Sequence, residues 1–269
     1  MQRLWIKLFL VLSFLGSIAQ AVEMYRTIIE LPEALHDKVP GLNPGYVLAR
    51  PTVSAAEDKP ALLIYLHGGG SGGNHIRERL GRNAPVKYWN QQETHPFIIM
   101  APQCFPHKKW KAESLQVLLE HLKETVEFDH NRIYLTGFSM GAYGTWLWAA
   151  TYPENFAAIV PMGGGIGNGG PTDVSPELDQ WLDNLSTIPT WIFHGGGDTV
   201  VPPERSERMY QGLKERGLKE LGLTIYPNAR HVYAQDACKD PMVYEWMLRQ
   251  SRVQGDRRPP EKNTGEEPD

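Results

Sequence analysis

The stretch IYLTGFSMGAYGTW, Ile133 to Trp146, decides the reading of this chain. An apolar run, Ile133 to Thr136, enters the pentapeptide GFSMG, Gly137 to Gly141, and a helical pattern with Trp146 and Trp148 follows from Ala142 to Thr151. A sharp strand-to-helix turn of this kind projects a serine from the end of a sheet, and small flanking residues leave room for its strained backbone. Ser139 is therefore the candidate nucleophile. Ten serines and 26 glycines in 269 residues give about 0.09 chance matches to G-x-S-x-G, so the weight of the motif comes from its strand-and-helix setting.

Outward from this turn, short apolar runs alternate with longer helical patterns. The runs are Ala61 to Leu66, Phe97 to Ala101, Ile133 to Thr136, Ala157 to Met162, Thr190 to His194 and Leu223 to Tyr226. Strands apolar on both faces indicate a mostly parallel sheet covered by helices on both sides, an α/β architecture. Helices are expected over Ala112 to Phe128, Ala142 to Thr151, Pro203 to Arg216 and Pro241 to Gln250. In the first of these, Leu115, Leu118, Leu119, Leu122 and Val126 form one apolar stripe. Ahead of the alternation, Met24 to Leu31 and Gly45 to Arg50 read as an antiparallel pair at a sheet edge, separated by a segment with Pro40, Gly41, Pro44 and Gly45.

A serine hydroxyl needs a neighbouring base to accept its proton. In sheets built around such an elbow the chain order is nucleophile, acid, histidine, which leaves His194 and His231. His231 follows the last strand pattern on a loop-like segment and is preferred. Asp198, after the strand Thr190 to His194 and the turn Gly195 to Gly197, is the preferred acid; Asp173, Asp179 and Asp183 precede that strand and are the rivals. HGGG, His67 to Gly70, follows the strand Ala61 to Leu66 where backbone amides would meet developing negative charge. The expected oxyanion donors are the amides of Gly69 and Gly70 with that of Met140. No GKS or GKT ending follows these glycines, which argues against a nucleotide-binding loop.

Composition narrows the class. Apolar residues at 41% and charged residues at 22% fit a globular chain, expected as one domain over residues 22–250. A net charge of −4 gives no electrostatic reason to expect nucleic acid as a partner. Residues 1–21, with Arg3, Lys7, an apolar run from Leu8 to Leu15 and small residues at Ala19 and Ala21, read as a signal peptide, implying a secreted or periplasmic protein without a membrane anchor after cleavage. Two cysteines, Cys104 and Cys238, leave a disulfide open in an oxidising compartment and exclude a four-thiolate zinc site. Residues 251–269, charged and proline-bearing, read as a disordered tail.

Four blocks carry a resemblance: LLIYLHGGG (Leu62 to Gly70), PFIIMAPQC (Pro96 to Cys104), the elbow segment NRIYLTGFSMGAYGTW (Asn131 to Trp146) and HGGGDTVVPPERSERM (His194 to Met209). In this order they resemble the esterase branch of the α/β-hydrolase superfamily that includes feruloyl-esterase-like, polyhydroxybutyrate-depolymerase-like and phospholipase/carboxylesterase-like proteins, from about Ala61 to Gln250. The resemblance implies carboxylic-ester hydrolysis through Ser139, Asp198 and His231 by way of an acyl-enzyme, with no metal or organic cofactor. The implied partner is an ester substrate, with polymer-derived esters attractive for an exported protein. Relatives often carry glycine before the histidine and tryptophan three residues after it. This chain has Arg230 and Ala234, so the pocket beside the histidine is expected to be wider. Two other readings stand beside this one: a serine peptidase related to prolyl oligopeptidases, and a hydrolase-like protein that binds without catalysis.

Overall fold

The computed structural model describes residues 24–51, 59–73, 76, 97–166 and 177–252. The expected signal peptide, most of the C-terminal tail, part of the glycine-rich 163–171 segment and Asp173 lie outside them. Eight strands join one sheet in the order β1-β2-β4-β3-β5-β6-β7-β8. These are β1 (Met24–Glu30), β2 (Leu42–Pro51), β3 (Ala61–Leu66), β4 (Phe97–Cys104), β5 (Ile133–Phe138), β6 (Ala158–Met162), β7 (Thr190–Gly195) and β8 (Leu221–Tyr226). The edge strand β1 runs antiparallel to β2, and β2 antiparallel to β4; β3 to β8 are mutually parallel. The leading hairpin-like pair and the parallel sheet are both as the sequence pattern predicts, and this is the α/β-hydrolase sheet order.

Alternation along each strand divides the core into two layers. Leu62, Ile64 and Leu66 of β3 face one layer with Leu115, Leu118 and Trp146, while Ala61, Leu63 and Tyr65 face the other with Tyr244 and Met247. The helices α1 (Ala112–Thr125), α2 (Met140–Thr151), α3 (Leu178–Leu185) and α4 (Glu204–Glu215) contribute to the first layer; α5 (Ala234–Lys239) and α6 (Pro241–Leu248) contribute to the second. Both faces are thus covered, which explains strands that are apolar throughout rather than alternating with polar residues.

The layers also settle the cysteines. Cys104 at the end of β4 belongs to the first layer and Cys238 in α5 to the second, on opposite faces of the sheet, and both are free. The disulfide left open by the sequence does not form. Burial pushes both thiols up to about 12, because a thiolate there would lose its hydration.

The helices differ from expectation at their ends. The first stops at Thr125 rather than Phe128, since Val126 turns to extended backbone, yet Val126 and Phe128 remain in the same apolar layer. Among the described residues two helices are additional. In α3, Leu178, Trp181, Leu182 and Leu185 do carry helical spacing, but over eight residues; α5 spans six, too few for a period to show.

Candidate active site

Between β5 and α2 the chain turns within one residue. Ser139 holds φ 54° and ψ −116°, outside the ordinary regions for a residue with a side chain, and caps α2. Its amide donates to the Met162 carbonyl at 2.9 Å, and its carbonyl accepts from the amides of Ala142 and Tyr143 at 2.8 and 3.1 Å. Close packing makes the turn specific to glycine: a Cβ at Gly141 would run into the Leu66 carbonyl of β3, and one at Gly137 into the Gly141 carbonyl. The elbow is thereby pressed onto the C-terminal end of β3, beside the loop that carries His67 to Gly70.

The histidine and the acid arrive from the ends of β8 and β7. His231 Nε2 lies 3.0 Å from Ser139 Oγ, and His231 Nδ1 donates to Asp198 Oδ2 at 2.6 Å. With Nδ1 as donor, Nε2 is free to accept the serine proton. The other carboxylate oxygen, Asp198 Oδ1, accepts from the amides of Val200 and Val201, both at 2.9 Å. The two supporting loops are tied together, because Gly196 donates to the Tyr226 carbonyl and Gly197 to the Ala229 carbonyl. Asp198 is buried, while the His231 ring is partly exposed and packs 5.0 Å from Phe138. The structure therefore brings together Ser139, Asp198 and His231. It does not bring His194 to Ser139, and the rival carboxylates Asp179 and Asp183 pair with Arg216 at 3.1 and 2.7 Å.

On the opposite side, Gly68 approaches most closely: a Cβ there would lie 3.3 Å from the Phe138 carbonyl and 3.6 Å from Ser139 Cβ. Gly69 and Gly70 open a short 3-10 turn, Gly69–Ser71, and are exposed, with open space where a side chain would be. Met140 is the first residue of α2, so its amide has no acceptor within the helix. The glycine loop is held by a residue the sequence reading passed over. His67 is fully buried; its Nε2 accepts from the Cys104 amide at 3.1 Å, so Nδ1 carries the proton and donates to the Gly68 carbonyl at 2.8 Å. Burial holds this imidazole below its ordinary value, in the neutral form the two bonds require.

Trp110 donates to the His67 carbonyl at 3.2 Å, packs on the His67 ring at 4.7 Å and is wedged against Gly144 of α2. Its role is packing behind the loop. Ala234, expected to widen the pocket, is instead buried in the second apolar layer with Ala237 and Cys238. Of the three large exposed apolar side chains among the described residues, Val200 and Val232 stand within two positions of Asp198 and His231.

A sheet of this order, with a serine at the β5 elbow, a carboxylate after β7 and a histidine after β8, defines an α/β-hydrolase. Within that class the chain belongs to the dienelactone hydrolase family, whose sequence profile matches residues 88–247, more than half of its length. It is 32% identical over 164 residues to a Salmonella typhimurium protein named carboxymethylenebutenolidase, covering 57% of each chain. It is 28% identical over 164 residues to poly(3-hydroxyalkanoate) depolymerase C of Paucimonas lemoignei, covering 47% of this chain and 40% of that one. The chain thus spans about half the length of the curated relatives it matches. Among solved structures, a thermostable esterase superposes with TM-score 0.62 at 25% identity, over 86% of this chain and 64% of that one. A ferulic acid esterase superposes with TM-score 0.62 at 16% identity, over 84% and 99%, a likeness of fold.

Proposed function

We propose that the protein is a serine esterase that hydrolyses carboxylic esters through an acyl-enzyme. The observation that carries this reading is the continuous line from Ser139 Oγ through His231 to Asp198, at 3.0 and 2.6 Å, with the far carboxylate oxygen held by two backbone amides. In this reading His231 takes the Ser139 proton as the hydroxyl attacks the ester carbonyl, and Asp198 keeps the ring in the productive tautomer and balances its positive charge. The tetrahedral oxyanion is received by the amides of Met140 and of Gly69, with Gly70 alongside. His231 then gives the proton to the leaving alcohol, activates water, and the acid is released.

The exposed Val200 and Val232 beside the acid and the base favour an ester with an apolar portion at the mouth of the site. The names of the relatives, a carboxymethylenebutenolidase and a polyester depolymerase, together with the esterase neighbour, support ester rather than amide cleavage. Export belongs to the same reading: residues 1–21 are removed and the substrate is met outside the cytoplasm, so the exported product begins at Val22 by N-terminal mass analysis. A fluorophosphonate probe tests the nucleophile: it adds covalently to Ser139 in the wild type and not in Ser139→Ala. A probe mass on any other residue overturns the assignment.

A further inference from the structure

Behind the acid lies a second histidine that the proposed chemistry does not use. His194, at the end of β7, is fully buried. Its Nε2 lies 2.9 Å from the Val201 carbonyl and 3.6 Å from Asp198 Oδ2; its Nδ1 lies 2.6 Å from Ser206 Oγ, and the ring stacks on Tyr233 at 6.0 Å. Ser206 Oγ is also 3.2 Å from the Gly164 carbonyl, on the segment that follows β6.

Proton bookkeeping fixes the ring. A carbonyl only accepts, so Nε2 carries hydrogen toward Val201, and in a neutral ring Nδ1 must then accept from the Ser206 hydroxyl. Burial, which holds His194 below its ordinary value, agrees with the neutral form. Val201 is consequently held at both of its backbone polar groups. Its carbonyl is held by His194 and its amide points at Asp198 Oδ1, 2.9 Å away. The two groups belong to successive peptide units joined at the Val201 Cα, so holding the carbonyl restricts displacement of the residue whose amide meets the carboxylate that orients His231.

We propose that His194 is a positioning residue for the acid: through Nε2–H and the Val201 backbone it fixes the rotation of the Asp198 carboxylate, while the Ser206 hydroxyl, donating to Nδ1, holds the ring in that tautomer. This inference rests on the triad reading above. It concerns a residue that does not touch the substrate.

Nitrogen-15 spectra of the intact protein give the first test and need no substrate. The wild-type His194 ring is expected as the neutral Nε2–H tautomer; an Nδ1–H tautomer leaves no donor for Val201 and overturns the proposal. The second test separates the two nitrogens, because the amide of His194→Gln reaches toward Val201 whereas that of His194→Asn reaches only toward Ser206. His194→Asn is expected to lose the far-downfield proton of the His231–Asp198 hydrogen bond. It should also lower kcat on a p-nitrophenyl ester about 100-fold, the scale set by a misplaced catalytic group. KM should move by less than about twofold, since no substrate contact is removed. His194→Gln recovers the proton signal and most of kcat. Equal losses in the two variants, tracking their thermal stability, would show a purely structural histidine. A wild type inactive on esters but with the expected tautomer and downfield proton would instead count against the esterase reading alone.

Discussion

Ser139 combines two demands on one residue. Its backbone at φ 54° and ψ −116° stores strain of about 1–3 kcal/mol, which glycine would relieve. Glycine also enlarges the unfolded ensemble, at a cost of about 0.4–1 kcal/mol, so the strain is the larger effect. Ser139→Gly is therefore expected to be about 1 kcal/mol more stable than Ser139→Ala in urea unfolding. Equal stabilities would mean the elbow is unstrained. At the acid, Asp198→Asn keeps the shape but changes the hydrogen-bonding pattern, favouring the wrong tautomer of His231. A loss of about 10⁴-fold in kcat is expected, by analogy with the same change in a serine protease triad.

Arg205 poses a different problem. Its side chain is buried, its three nitrogens have no hydrogen-bond partner among the described residues, and its guanidinium lies 5.6 Å over the Tyr143 ring. An unpaired buried charge costs more than the ring contact returns, so Arg205→Met should raise the thermal midpoint. A lower midpoint would show the cation–π contact to be the stronger effect.

At the scale of elements, α2 approaches its neighbours closely enough to hold the elbow in place. A Cβ at Gly144 would lie 2.7–2.9 Å from the Trp110 side chain, including its Cβ and Cγ, which cannot move aside without the backbone. Gly144→Ala should therefore cost about 1–3 kcal/mol of stability by overpacking. Because Trp110 also holds the His67 carbonyl, the same change should lower kcat. Stability at the wild-type value in urea unfolding would mean that Trp110 finds room.

The same elements show what the sequence could reveal. β3 was legible to the residue, because a run of six apolar residues between Pro60 and the glycines after His67 is too short for a buried helix. Ser139, Asp198 and His231 were legible because each follows a strand whose apolar run is readable. His67 and His194 were not, since their importance lies in bonds to backbone groups of distant segments, Cys104 and Val201, which no local pattern records. Gly68 was indistinguishable by residue type from Gly69 and Gly70; only the approach of Phe138 and Ser139 separates them. The fate of the cysteines needed the strand parity of Cys104 and the packing of α5, with Cys238, on the opposite face of the sheet.

Across the whole molecule, two buried imidazoles couple stability to pH. His67 and His194 are both held below the ordinary value of 6.5 by burial, so over the interval below 6.5 the unfolded chain binds more protons than the folded one. Their contribution to stability is complete above pH 6.5 and falls as pH drops from 6.5 toward their folded values. Urea midpoints between pH 7.5 and 5.5 should decline, and the decline should shrink in His194→Gln, which has one fewer group to titrate. An unchanged slope in that variant would remove His194 from the effect. The buried thiols, pushed up to about 12 and set in separate layers, should resist iodoacetamide in the folded protein and react on unfolding.

In the proposed function the Ser139, His231 and Asp198 line performs ester hydrolysis. Its most direct test is turnover of a short-chain p-nitrophenyl ester by the wild type and Ser139→Ala, with both shown to be folded by near-ultraviolet circular dichroism. Turnover by the wild type and a fall of at least about 10³-fold in the variant are expected. A folded Ser139→Ala protein that hydrolyses the ester at the wild-type rate would contradict it.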